Sequence, residues 1–309
     1  MSRSALGSDS IADSLADSIA GIADRLRSAG CVFAEEEARL LVEAASCPAN
    51  VAAAVERRIA GYPLEQILGW AEFAGLRIEL DPGVFVPRRR TELLVNEAVA
   101  ALAKVQPKES PLLRARLHEG TKADDGARVH EDPVPEPVRS VSAAVVVDLC
   151  CGSGAAGTAI ASRVAGLELY AADIDPAAVA CARRNVARVG GEVLQGDLFD
   201  ALPSAIKGQV SVLTANAPYV PTAEIATMPR EARDYEPTLS LDGGADGLDL
   251  HRRVAAGAGE WLHPGGYLLI ETSERQAGHT ASIMASAGFK VRTVRSDELD
   301  GTVVVGRAR

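Results

Sequence analysis

Val145-Val146-Val147-Asp148-Leu149-Cys150-Cys151-Gly152-Ser153-Gly154 is the stretch whose reading decides the fold. Three β-branched residues in succession suit a strand buried on both faces. The run then breaks into a turn of small residues, and Ala155 to Val164 continues as a helix. A glycine-rich turn between a buried strand and a helix brings backbone close to any ligand at the carboxyl edge of a parallel sheet.

Downstream, strands and helices alternate. Leu167 to Ala172 reads as a second strand ending in Asp173-Ile174-Asp175-Pro176, with a helix from Ala177 to Val189. Glu192 to Gln195 is a third strand, followed by Gly196-Asp197, and Val210 to Thr214 a fourth. A helix from Leu250 to Trp261 leads through His263-Pro264-Gly265-Gly266 into a fifth strand, Tyr267 to Glu271. A helix from Gln276 to Ser286 precedes two last strands, Phe289 to Val294 and Thr302 to Val305. Repeated strand–helix units predict a parallel sheet wound on both faces. The last two strands lack an intervening helix, so one of them should run antiparallel.

Upstream, residues 11–69 read as short helices. Ile11, Leu15, Ile19, Ile22 and Leu26 share one stripe, with Gly30 placed to end that helix. Glu35 to Ala45 and Val51 to Ala60 come next, divided by Cys47-Pro48, and Gly61-Tyr62-Pro63 opens a short fourth piece. Leu76, Ile78 and Leu80 alternate with Arg77 and Glu79, and Asp81-Pro82-Gly83 is turn chemistry before Val84-Phe85-Val86-Pro87. A β-hairpin is therefore expected over 72–90 as a linker, and Thr91 is expected to cap a helix from Glu92 to about Lys104. Residues 106–141, with scattered prolines and charges, read as an exposed disordered insertion. The expected organisation is a helical docking domain 1–71, the linker 72–90 and an α/β domain 91–309.

Composition is that of a soluble globular protein: 309 residues, 47% apolar, 24% charged, net charge −10. Such an acidic balance is a poor basis for coating nucleic acid. No apolar run approaches the ~18 residues of a membrane span, and residues 1–13 lack the pattern of a secretory signal. The five cysteines, Cys31, Cys47, Cys150, Cys151 and Cys181, are odd in number and contain no Cys-x-x-Cys. That suits neither a disulfide framework nor a zinc site, so no metal is expected and a reducing cytoplasm is.

Three acidic residues stand at strand ends: Asp148, Asp173 and Asp197. Asp173 is placed to accept hydrogen bonds from ribose hydroxyls, and Asp197 from an adenine amino group. With the Gly152-Ser153-Gly154 turn, they point to S-adenosylmethionine. Gly152, Gly154 and Gly157 also satisfy the G-x-G-x-x-G spacing of a nicotinamide dinucleotide site. The tetrapeptide after the fourth strand separates the two. Asn216-Ala217-Pro218-Tyr219 has no purpose in hydride transfer, whereas methylation of a planar nitrogen needs such a clamp. An amide nitrogen is a poor nucleophile because its lone pair is delocalised. Its two N–H groups can be held by the Asn216 side-chain oxygen and the Ala217 carbonyl, fixing one face toward the methyl donor and favouring the positive charge that builds at nitrogen. Tyr219 would wall or stack on the planar group, and Pro218 keeps Ala217 extended. Among the weaker candidates, Arg88-Arg89-Arg90 reads as a solvated turn, with contact to a ribosome-associated or acidic partner as the alternative, Glu236 as near the cleft or structural, and His251 and His263 as surface or helix-end residues.

The chain resembles the HemK/PrmC-type protein glutamine N5-methyltransferases, whose usual site motif is Asn-Pro-Pro-Tyr. The resemblance covers nearly everything outside 106–141. It runs through Pro63-Leu64-Glu65-Gln66-Ile67-Leu68-Gly69, Glu72-Phe73-x-Gly75-Leu76, Pro82 to Arg88 with Thr91-Glu92, and Asp148-Leu149-x-x-Gly152-Ser153-Gly154. Tyr235-Glu236-Pro237 and Leu241-x-Gly243-Gly244-x-Asp246-Gly247-Leu248 complete it. The combination is specific; the tetrapeptide alone is shared with adenine N6-methyltransferases. The resemblance implies a Rossmann-like class I methyltransferase domain behind a small helical domain and hairpin linker. It implies S-adenosylmethionine as cofactor, with S-adenosylhomocysteine as product. It also implies a protein substrate, the glutamine of the Gly-Gly-Gln motif in peptide-chain release factors. The implied cofactor residues are Phe85, Arg88, Asp148, Cys150, Gly152, Gly154, Asp173, Asp197 and Asn216; the implied catalytic ones are Asn216, Ala217, Pro218 and Tyr219. Two alternatives stand beside this expectation: an adenine N6-methyltransferase on RNA or DNA, and a non-catalytic S-adenosylmethionine-binding module. Three departures mark a divergent branch. Ala217 replaces a proline but keeps its carbonyl. Cys150-Cys151 replace Gly and a Thr-like residue, and Cys adopts positive φ less cheaply than Gly, so a shifted loop or weaker cofactor binding is expected. Arg89 replaces a proline, adding charge at the cleft mouth.

Overall fold

The computed structural model describes residues 18–105 and 143–309. The predicted insertion, and the Ile11 and Leu15 end of the first helical stripe, lie outside these residues.

Four helices come first: α1 over 18–28, α2 Ala34–Ala44, α3 Pro48–Ile59 and α4 Leu64–Leu68. They bury their own apolar cluster, including Ile22, Leu26, Ala38, Leu41 and Val55. Gly30 ends α1 as expected: at φ 94° it lets the Cys31 N–H reach back to the Leu26 carbonyl. Pro48 begins α3 rather than merely separating two helices, because a first-turn proline loses no hydrogen bond.

The hairpin is not the predicted one. Strands β1 Trp70–Phe73 and β2 Leu76–Glu79 pair antiparallel across a two-residue turn at Ala74 and Gly75, with φ of 55° and 79°. Two positive φ values make a turn whose twist matches the strands. Asp81-Pro82-Gly83 does turn, with the Val84 N–H on the Asp81 carbonyl. The segment from Val84 to Pro87 is extended but forms no strand pair. Its polar groups go to side chains instead: Gln66 Nε2 donates to the Val84 carbonyl at 3.1 Å, and the Val86 N–H to Glu236 Oε1 at 3.3 Å. Val84 and Val86 are buried against Leu80, Ala178 and Cys181. Nor does Thr91 cap the next helix. It ends a 3₁₀ turn, Arg89–Thr91, that runs directly into α5 Glu92–Val105.

The remainder is one seven-stranded sheet. Its strands are β3 Ala144–Leu149, β4 Leu167–Asp173, β5 Glu192–Gln195, β6 Val210–Ala215, β7 Leu262–Thr272, β8 Lys290–Ser296 and β9 Gly301–Arg307, in the order β5-β4-β3-β6-β7-β9-β8. The order is that of the Rossmann-like methyltransferase fold. Only β9 runs antiparallel, inserted between β7 and β8. β3 and β6 are buried along their whole length. Alternation divides their side chains: Val146, Val212 and Leu269 face one layer, with α5 and α6 (Ala155–Arg163). Val145, Val147, Leu213 and Ile270 face the other, with α9 (Asp249–Trp261) and α10 (Ala277–Ser286). Between these lie α7 Pro176–Ala187 and α8 Arg230–Tyr235. No described helix is long and apolar enough to cross a membrane. The chain leaves β3 toward β4 and β5, then returns to the other side of β3 as β6. That reversal opens a crevice at the carboxyl ends of β3 and β6, the place where open α/β sheets bind ligands.

Candidate active site

A cavity of about 500 Å³ fills this crevice. Phe85, Arg88, Asp148, Cys150, Gly152, Asp173, Asp197 and the whole of Asn216-Ala217-Pro218-Tyr219 line it. Of the residues expected to bind the cofactor or act in catalysis, Gly154 alone stays off the wall. A Cβ there would sit 2.8 Å from Val186, so its smallness serves the packing of α6 on α7. Gly157 likewise lets α6 approach β3, with its N–H on Asp148 Oδ2 at 2.9 Å. Only Gly152 of the three glycines opens toward the cavity, where a Cβ would meet nothing within 4 Å.

Asp148 is the floor. Its other oxygen accepts from the Thr214 hydroxyl at 2.9 Å, so the carboxylate braces β3, β6 and the start of α6 together. Burial pushes its pKa up to about 6, against the hydrogen bonds from Thr214 and Gly157. Asp173 accepts from the N–H groups of Gly152 (2.8 Å) and Asp175 (2.9 Å), which lock the turn against the end of β4. Burial raises its pKa as well, more than those N–H groups lower it. Asp197 has one oxygen on Arg253 at 2.8 Å, a half-exposed pair that claims part of its accepting capacity.

Cys150 stands at φ 54°. The chain holds a thiol residue in the left-handed region at a cost of roughly 1–2 kcal/mol. Leu198, also on the cavity wall, has φ 52°. Two non-glycine residues are thus held in a costly conformation on one wall. Burial and the surrounding aspartates raise the pKa of the Cys150 thiol, keeping it protonated.

The arginine run is not a solvated turn throughout. Arg88 reaches back to form an ion pair with the buried Glu236, its guanidinium over the Phe85 ring at 5.4 Å, and Arg90 also lines the cavity. Only Arg89 and Arg90 are exposed. Glu236 is both near the cleft and structural. Burial raises its pKa despite Arg88, and its Oε2 has no hydrogen-bond partner among the described residues. His251 is not at the surface: it is fully buried on α9, its Nδ1 3.0 Å from the Thr280 hydroxyl. Its ring centroid lies 6.5 Å from that of Tyr219.

At the tetrapeptide, Asn216 is half-buried and donates through Nδ2 to the Thr91 hydroxyl at 3.2 Å. Its Oδ1 is left for the cavity. Ala217 is 1% exposed. The Tyr219 hydroxyl lies 3.5 Å from Glu271 Oε1 at the end of β7. Burial and Glu271 together push the Tyr219 pKa up to about 12, which keeps it a neutral donor. Thr91, Arg90, Glu231 and Glu271 are site residues that sequence reasoning misses. A signal for Glu271 exists: a carboxylate closing the apolar run Leu268-Leu269-Ile270.

The crevice suits S-adenosylmethionine. It offers acceptors at strand ends, apolar walls from Ile174 and Leu198, and an open glycine in the turn. The family described as Methyltransferase small domain matches residues 119–229. A release factor glutamine methyltransferase of Geobacter sulfurreducens is 32% identical over 249 residues, 80% of this chain and 72% of that one. Another, from Streptomyces coelicolor, is 34% identical over 72% of this chain and 67% of its own. A 4-amino-L-phenylalanine/4-methylamino-L-phenylalanine methyltransferase of Streptomyces pristinaespiralis is 32% identical over 76% and 69%. With the strand order, the crevice at its switch point and these similarities together, the chain is an S-adenosylmethionine-dependent methyltransferase and belongs to the release factor glutamine methyltransferase family.

Proposed function

We propose that the protein methylates the side-chain amide nitrogen, N5, of the Gly-Gly-Gln glutamine in a peptide-chain release factor. One observation carries the reading: Asn216 gives its N–H to Thr91, so its oxygen and the Ala217 carbonyl are the acceptors left for the two N–H groups of a substrate amide. When bound, S-adenosylmethionine supplies an electrophilic methyl on a sulfonium. The residues on the cavity wall that would hold it are Asp173, Asp197, Cys150 and Gly152, with Phe85 and Arg88 opposite. Asn216 and Ala217 fix the nitrogen and favour its growing positive charge, and Tyr219 and Pro218 exclude water from one side. Helices within 1–71 are the docking layer for the protein substrate in this reading. Exposed Val32 and Phe33 beside their separate core support it. All five cysteines are free, which agrees with a cytoplasmic enzyme. Incubation with methyl-labelled donor and a release factor should label only the Gly-Gly-Gln glutamine. No label there, with donor bound, would remove the substrate assignment.

A second reading comes from the Streptomyces pristinaespiralis relative, whose name gives a free aromatic amino acid as its acceptor. The cavity carries Arg90, suited to a carboxylate, and the unpartnered Glu236 oxygen, suited to an ammonium. Methylation of 4-aminophenylalanine in place of the release factor would establish it.

A further inference from the structure

We infer that Gln276, outside the cavity, is a positioning residue: its carboxamide holds the Tyr219 carbonyl and so sets the direction of the Ala217 carbonyl inside. The inference rests on the reading of Ala217 as an acceptor for the substrate nitrogen.

A carbonyl that is to receive a substrate N–H must itself be free of protein partners, so its aim has to be held by its neighbours. Neither the Ala217 nor the Pro218 carbonyl accepts a backbone hydrogen bond among the described residues. Pro218 fixes one torsion through its ring. The next carbonyl, that of Tyr219, is held: Gln276 Nε2 donates to it at 2.9 Å. Beyond it the backbone holds itself, with the Val220 N–H on the Leu241 carbonyl and the Gly243 N–H on the Val220 carbonyl. The Tyr219 side chain gives less hold, its hydroxyl standing 3.5 Å from Glu271 Oε1. Gln276 is therefore the pin on the downstream side of the clamp, as Thr91 is the pin on Asn216.

Proton counting fixes which way the Gln276 amide stands. Nε2 also donates to the Asp246 carbonyl at 3.1 Å. Two carbonyls have no proton between them, so the group that bridges them has to be the NH2, which has two to give. Oε1 turns the other way and accepts from the Ser273 hydroxyl at 2.6 Å. Gln276 immediately precedes α10, yet its side chain makes no capping bond to that helix. Nor does it line the cavity. Its reach to Tyr219 depends on Gly247, at φ 76°. A Cβ there would stand 2.3 Å from the Tyr219 oxygen and 2.5 Å from Gln276 Nε2. Three pieces of chain thus meet at one amide: the exit of the tetrapeptide, the loop carrying Asp246 and the start of α10.

Gln276→Met tests this by removing both donors at nearly constant length. Single-turnover methyl transfer should fall by about tenfold or more, while donor affinity stays within about twofold because the residue is off the cavity wall. Gln276→Lys supplies N–H donors again at similar reach and should recover most of the loss. A readout that needs no methyl acceptor is carbon-13 NMR of the Ala217 and Tyr219 backbone carbonyls. Both resonances should move in Gln276→Met and return toward their wild-type positions in Gln276→Lys. A merely structural brace would move the Tyr219 resonance alone. An unmoved Ala217 resonance overturns the inference even if turnover falls. So does a donor affinity that falls in step with turnover, or a Gln276→Lys variant as slow as Gln276→Met. If Gln276→Met does not fold, Gln276→Glu takes its place with the same expected losses and shifts, since it keeps the shape and sets an oxygen against the two carbonyls. A wild-type protein inactive on release factors removes the proposed substrate, and the carbonyl resonances still judge Gln276.

Discussion

Asn216→Ala should separate the clamp from the scaffold that carries it. Asn216 and the Ala217 carbonyl are two preorganised acceptors for one planar nitrogen, and the substitution removes one of them. Loss of a single such dipole at a site of developing charge costs on the order of 10²–10³ in kcat, about 3–4 kcal/mol. The fold should hardly notice. Asn216 is half-buried and makes one hydrogen bond, to Thr91, worth about 1 kcal/mol and a Tm change of roughly 2–4 °C. Ala217→Pro restores the family tetrapeptide while keeping the carbonyl, and should change turnover by less than about threefold. The assay is single-turnover transfer of labelled methyl to a release factor at saturating donor, with donor affinity measured separately by calorimetry. The clamp reading is wrong if Ala217→Pro alters turnover more than Asn216→Ala does.

Cys150→Gly should relieve a left-handed residue that costs roughly 1–2 kcal/mol, offset by about 0.5–1 kcal/mol of added chain entropy. The net is a slightly higher urea midpoint and donor binding tighter by no more than about tenfold; a lower midpoint with weaker binding would contradict it. Arg58→Ala should destabilise by about 3–5 kcal/mol, because Glu37, 7% exposed, loses its bidentate partner. Glu231→Gln, at the half-exposed end of the same arginine, should cost less than about 1 kcal/mol; equal losses in urea melts would refute the distinction. His251 has its pKa pushed from 6.5 down to about 4 by burial. The unfolded chain therefore binds a proton that the folded chain refuses, and stability falls as pH drops from 6.5 toward 4. The full effect is about 3 kcal/mol. In His251→Gln that part of the acid loss should vanish from the wild-type minus variant difference; Asp148 and Glu271, whose raised pKa values work in the opposite sense, cancel from it.

The sheet is legible because the run from Val145 to Leu149 and the strands after it have a buried pattern that only a wound parallel sheet accommodates. The position of the cavity goes with it, since strand ends and glycine turns fix it. Contacts made across the fold are what local pattern misses. Asp81-Pro82-Gly83 outranks Ala74-Gly75 as a hairpin turn because the latter is a weak turn dipeptide, and nothing local says that Gln66 will occupy the polar groups of Val84. Arg88 looks solvated in the sequence because Glu236, which pairs with it, lies 148 positions away. His251 looks like a surface residue because its partner Thr280 lies on another helix. Thr91 has the residue type of a cap and spends its hydroxyl on Asn216 instead. In each case the side chain's role is set by a partner far along the chain.

Arg58 belongs to the helical layer, yet it grips Glu231 on the wall of the cavity, and it does not act alone. The Tyr235 hydroxyl donates to the Ala60 carbonyl at 2.8 Å, and the Tyr62 and Tyr235 rings lie 4.0 Å apart. Segment 229–236 therefore has two masters: it borders the ligand on one side and the helices on the other. Thermodynamic reciprocity then applies. Any macromolecule that settles on the helical layer and favours one placement of α8 must change the affinity of the crevice for its small ligand by some factor. The small ligand must change the affinity for that macromolecule by the same factor.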